Sequence, residues 1–211
     1  MKQKIGVIKF GGITLIISGF LFFAQYLFLL PMPSPPLADA DLMTWLHEWR
    51  TNIAMADELL FFAALFLIPS IVALYRRLVK VDSIKTILGC GLLAIIIPLH
   101  LFLVIILGRL VYPVYDIELS PDIYKLTLSI YYGGMHAVAI MLSVATLILS
   151  LVIRRSTIGK SVAYLGFVAG ILDLIGAFPW LIEPVMVFIS QLFFSGWFVI
   201  LGLRMLGRSE E

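Results

Sequence analysis

Asp57, Glu58, His100, His136 and Asp173 carry the side chains best suited to binding or catalysis, and each lies inside a long apolar run. An ionisable group at the centre of a membrane helix costs roughly 2.5–3.5 kcal/mol, so such groups normally face a bundle interior and are candidate functional residues by default. Neutral imidazole with carboxylate suits zinc or iron, and three protein ligands around an open position can activate water. His100, His136 and Asp173 form the candidate metal set on that reading, which would make the chain a metal-dependent intramembrane enzyme of hydrolase type. His100 and His136 also suit the two axial positions of a b-type haem. On a third reading the groups line a pocket for a small or lipophilic ligand, or relay a proton or ion. Tyr132 and Trp180 then join Asp57, Glu58, His100, His136 and Asp173 as ligand-binding residues. On a fourth they are interhelical hydrogen bonds, each worth about 0.6 kcal/mol. The residue types leave these alternatives open. HExxH spacing, a Gly-rich phosphate loop and a nucleophile elbow are all lacking from the sequence.

The elements that must position these residues follow from composition. The 211 residues are 62% hydrophobic and 13% charged, with a mean hydropathy of +1.08. Soluble domains are about 45–50% apolar and roughly 25% charged, so this chain has too little polar surface for water and lipid is its solvent. A spanning helix needs about 20 mostly apolar residues. The pattern predicts an all-α bundle of six transmembrane helices over 8–30, 52–75, 86–110, 123–153, 161–182 and 185–203. A short interfacial segment covers 42–50, with Asp41 as its N-cap and Trp45 and Trp49 on one face. The whole chain is one domain. The first apolar run exceeds a signal-peptide core of 7–15 residues and reads as a retained helix. A net charge of +2 gives no reason to expect nucleic acid as a partner. Cys90, the single cysteine, reads as a buried, inert thiol.

Charge distribution gives orientation. Lys2, Lys4, Lys9, Arg76, Arg77, Lys80, Lys85, Arg154, Arg155, Lys160, Arg204 and Arg208 fall on one side of the predicted helices, against Arg50, Arg109 and Lys125 on the other. The positive-inside rule places both termini in the cytoplasm. Two segments, ALYRRLVKVDSIKTILGCG and SLVIRRSTIGKSVAYLGFVAG, echo each other as helix, Arg-Arg turn and helix.

At about 1.5 Å per residue, His100 stands some 20 Å above the cytoplasmic start of its helix and Asp173 roughly 18 Å. In a hydrocarbon core of about 30 Å, both fall about 10 Å beneath the outer face. His136 reaches a similar level, and Asp57 and Glu58 lie one to two turns inside the outer surface. Four helices thus place polar groups in one slab of the outer half. Gly166, Gly170, Asp173 and Ala177 form one small-residue face suited to close packing within the bundle or to a homodimer. Ser129, Tyr132, His136 and Ser143 share another face. Pro69, Pro98 and Pro179 are expected to kink helices, and Arg109 can pair with Asp116 or Glu118 at the outer rim or snorkel alone.

The layout resembles a group of small six-helix bacterial membrane proteins known only as a domain of unknown function. The likeness rests on the Pro-rich loop after the first helix, on ALYRRL, and on LGFVAGILDLIGAFPWL followed by GWFVILGLRML. It implies a bacterial plasma membrane and no established activity, and it supplies no catalytic residues. Larger zinc-dependent membrane hydrolases also carry His and Asp within helices, but this chain lacks their paired-histidine motif and one helix. The leading expectation is a non-enzymatic membrane protein with an outward-facing polar pocket, in a ligand-binding, sensory or transport-accessory role.

Overall fold

The computed structural model describes residues 6–112, 114–117 and 119–207. They form seven α-helices: α1 (Val7–Leu29), α2 (Asp39–Glu48), α3 (Arg50–Leu78), α4 (Ser83–Gly108), α5 (Pro121–Ile153), α6 (Lys160–Gly176) and α7 (Pro184–Leu206). Among the described residues, α1, α3, α4, α5 and α7 are long and apolar enough to cross a membrane. Their outward faces are apolar, with Phe20, Ile95, Phe102 and Ile105 more than half exposed, as a lipid-facing surface requires.

The helices close into a ring. α1 packs on α3, α3 on α4, α4 on α5, α5 on α6, α6 on α7, and α7 returns to α1. Small residues bring α1 close to both neighbours. A Cβ added to Gly12 would lie 2.9 Å from the Gly202 carbonyl on α7, and one on Gly11 would lie 2.9 Å from the Pro69 carbonyl on α3. Hydroxyls then bridge the helices: Thr14 and Ser70 share a 2.9 Å hydrogen bond, and Ser18 donates to the Ala63 carbonyl at 2.9 Å. Arg77 donates to Thr157 at 3.0 Å, so the two Arg-Arg turns lie side by side at one end. That basic end lies opposite the end bearing α2.

Three local expectations are corrected. The short segment starts at Asp39, with Ala38 rather than Asp41 as its N-cap. Asp39 and Asp41 both lie in its first turn, where the positive end of the helix dipole favours them. α2 also buries Leu42, Trp45 and Leu46 within the protein core, and the Trp45 indole donates to the Pro33 carbonyl at 3.1 Å. The helix predicted over 161–182 ends at Gly176. Pro179 cannot donate a backbone hydrogen bond, and it disfavours helical geometry at Phe178. It therefore terminates α6 rather than kinking it, while α3 and α4 run unbroken through Pro69 and Pro98. Arg109 forms no ion pair with Asp116 among the described residues, and Glu118 lies outside them.

The small-residue face of α6 is consumed inside the bundle. A Cβ on Gly166 would meet the Trp197 indole at 2.6 Å, and one on Gly170 would meet Leu147 at 2.8 Å. Ser143 donates to the Gly170 carbonyl at 2.7 Å. This face is unavailable for a homodimer contact.

Candidate functional site

At the α2 end, five helices each bury a polar side chain with an unpartnered atom. These atoms are Gln25 Nε2 on α1, Asp57 Oδ1 on α3, His100 Nδ1 on α4, Tyr131 OH on α5 and Asp173 Oδ2 on α6. All five residues are at most 5% exposed. A buried polar atom without a partner costs about 1–3 kcal/mol, so five of them make an expensive arrangement for structure alone. Arg109 Nη1, at the C-cap of α4, is a further buried atom without a partner at this end, so the group offers donors, acceptors and one cation.

Each has a distinct setting. His100 is held against the Phe22 ring, with centroids 5.3 Å apart, and Phe22 in turn contacts Phe194 and Phe198 on α7. Asp173 accepts from Ser190 on α7 through Oδ1 at 3.5 Å. Asp57 places Oδ2 3.3 Å from where a Gly108 side chain would begin. Glycine at that position lets the carboxyl lie against the last turn of α4. Next to Asp57, Glu58 accepts a 2.9 Å hydrogen bond from Tyr112. Tyr112 lies beyond the end of α4; loss of water around it, then its bond to Glu58, pushes its phenol up to about 12.

His136 has a structural role that its sequence context does not reveal. Its Nδ1 lies 2.6 Å from the Ala177 carbonyl, the C-cap of α6. The last carbonyls of a helix have no partner within it, and the imidazole N–H supplies one. That bond fixes Nδ1 as the donor. Phe178 and Trp180 flank the ring, with centroids at 4.8 and 5.2 Å.

The structure therefore divides the predicted slab. Asp57 and Glu58 meet the end of α4, His136 meets the end of α6, Asp173 meets α7, and His100 enters the aromatic centre. No group of three or more His, Cys, Asp or Glu side chains able to hold a metal comes together among the described residues, so His100, His136 and Asp173 do not assemble as a zinc or iron site. The two imidazoles have different neighbours: His100 lies against Phe22 of α1, while His136 lies against the Ala177 carbonyl, Phe178 and Trp180.

Two side chains differ from expectation because α6 is short. Tyr132 and Ser129 are exposed, since α6 ends at the level of His136 and does not cover α5 beyond it. The adjacent Tyr131 is the buried one. Trp180 is 59% exposed at the α6–α7 turn. Sequence reading missed Gln25. Gln25 carried a visible signal, as the one amide in an otherwise apolar run.

These features define a helical, multi-pass membrane protein with buried ionisable groups toward the α2 end and buried hydroxyls along the rest of the bundle. No known protein family, characterised protein or solved structure matches the chain.

Proposed function

We propose that the chain is a six-span protein of a bacterial plasma membrane, with both termini cytoplasmic and a polar site in its outer half. The site binds a small ligand carrying hydrogen-bond donors, such as an organic amine with a lipophilic body, in a sensory or transport-accessory role. The buried, unpartnered atoms of Gln25, Asp57, His100, Tyr131 and Asp173 carry this reading. Two of them are carboxyl oxygens, and a buried carboxylate needs a partner of opposite charge or a donor. Phe22 and Phe194 supply apolar surface beside His100. The skew of cations toward the basic end supports the orientation. At 17 residues, α6 is about 26 Å long, near the thickness of a hydrocarbon core, which supports a sixth span. The likeness to small six-helix bacterial membrane proteins belongs to the same reading.

Thermal unfolding of the detergent-solubilised protein against a panel of lipophilic amines tests the ligand. A ligand at a hundred times its Kd stabilises the folded state by about 2.7 kcal/mol. The expected result is a raised midpoint in the wild type that is lost in Asp57→Asn or in Asp173→Asn. A panel without effect, or a shift that both variants retain, rejects the reading. Ser209→Cys and Ser34→Cys, labelled in intact cells with an impermeant maleimide, test orientation: labelling at position 34 alone is expected, and the reverse pattern overturns it.

A further inference from the structure

Beside the turn that joins α3 to α4, the two helices leave a groove of about 320 Å³ on the side away from the ring interior. Its walls are Ile71, Val72, Tyr75 and Ile87, its floor is Gly91 and the edge of Cys90, and Arg76 stands at its mouth. The depth depends on Gly91: a Cβ there would meet nothing within 4 Å. Val72 and Ile87 are about half exposed, so the groove opens where lipid tails lie.

The order of the lining residues gives the groove a direction. Tyr75 and Arg76 are in the last turn of α3, next to the 79–82 turn, while Ile71 and Gly91 lie a turn or more deeper. A phospholipid has the same sequence of chemistry, from charged headgroup to interfacial ester to alkyl chain. Tyrosine is favoured at the interfacial depth. The cations around this turn are not equivalent. Arg77 is engaged with Thr157 and Lys85 with Asp82. Arg76 and Lys80 are both exposed and neither makes a hydrogen bond or ion pair with the described residues; of the two, only Arg76 lines the groove.

We propose that this groove is a binding site for an anionic diacyl phospholipid, with one acyl chain lying between α3 and α4 over Gly91 and the headgroup phosphate on Arg76. An apolar slot facing lipid takes a chain of any phospholipid; the unengaged guanidinium selects the anionic ones, as basic sites between helices at the cytoplasmic face do. The site requires only that the basic end lie at a membrane surface. It is separate from the polar groups at the α2 end and stands or falls independently of them.

Native mass spectrometry of the delipidated full-length protein, titrated with phosphatidylglycerol or with phosphatidylcholine of identical chains, is the test. The expected result is one phosphatidylglycerol held about fivefold more tightly than phosphatidylcholine, the factor that a single cation near the surface supplies. Arg76→Gln should equalise the two lipids. Gly91→Leu, whose Cβ would meet nothing within 4 Å and whose longer side chain fills the floor, should weaken both. Ile87→Trp blocks the same groove from its wall and serves if Gly91→Leu lowers the melting temperature. Equal binding of the two lipids by the wild type overturns the proposal, as does phosphatidylglycerol binding unaltered by Arg76→Gln and by the groove-filling variants.

Discussion

The imidazole of His136 on α5 reaches the carbonyl of Ala177, the C-cap of α6, at 2.6 Å. One side chain thereby satisfies the end of a neighbouring helix that Pro179 prevents from continuing. His136→Phe keeps an aromatic ring against Phe178 and Trp180 but leaves the carbonyl unpartnered. It should lower unfolding free energy by about 1–3 kcal/mol. His136→Ala also loses the ring contacts, worth about 0.5–1.5 kcal/mol more. Unfolding in mixed micelles of mild and denaturing detergent measures both, and equal stability of His136→Phe and wild type would remove the capping role.

Asp173 separates a structural from a ligand-binding requirement. Asp173→Asn retains a carbonyl oxygen to accept from Ser190, so the fold should stay within about 1 kcal/mol of wild type. Asp173→Ala strands the Ser190 hydroxyl and should cost about 1–3 kcal/mol. Comparing the two midpoints checks the order; if Asn is as damaging as Ala, the carboxylate itself holds α6 to α7.

Glycines at two positions should respond in opposite directions. A side chain at Gly12 runs into the Gly202 carbonyl and forces α1 from α7, so Gly12→Leu should destabilise by about 1–3 kcal/mol or more. Gly91 has open space beside it. Gly91→Ala should be neutral or gain up to about 1 kcal/mol from helix propensity. Parallel thermal melts of the two variants read the contrast.

Asp82, in the turn before α4, gives the basic end an acid-sensitive contact. Its side chain accepts from the Lys85 amide at 3.1 Å and from the Lys85 ammonium at 2.5 Å. These bonds hold its carboxyl below the usual range. The folded value is lower than the unfolded one, so the contribution is fully present above the ordinary carboxylate pKa of about 3.9. It is lost as pH falls through the lowered value. The protection factor of the first-turn amides of α4, taken against their intrinsic exchange rates, should fall in that acid window in the wild type. In Asp82→Ala it should be low at every pH; a wild-type protection factor insensitive to acid would exclude the linkage.

How much of this was legible follows from what each residue depends on. The helix predicted over 123–153 occupies Pro121–Ile153, because a long apolar run between Pro121 and an Arg-Arg turn fixes its ends locally. The end of α6 was misjudged because a proline inside an apolar run was read as a kink. That error then hid three residues. The partner of His136 is a backbone carbonyl that exists only where α6 stops, and the swap between Tyr131 and Tyr132 depends on which helix runs alongside α5. Counting rise per residue assigned Asp57, His100, His136 and Asp173 to a shared depth. It could not say which neighbour each would meet, since facing depends on the order of helices in the ring. Gln25 was passed over because attention went to charge, although an amide in lipid also needs a partner.

α5 and α6 are adjacent but unequal, with 33 and 17 residues, or about 50 and 26 Å. A bilayer of uniform thickness cannot match both edges at once. Lipid next to α6 has to compress while lipid beside α5 stretches or the helix tilts, at a modest cost for each ångström of mismatch. On the six-span reading proposed above, the bundle imposes a thickness gradient around its own perimeter. Its stability should vary with acyl-chain length, and it should favour the thinner regions of a membrane on the side where α6 and α7 turn.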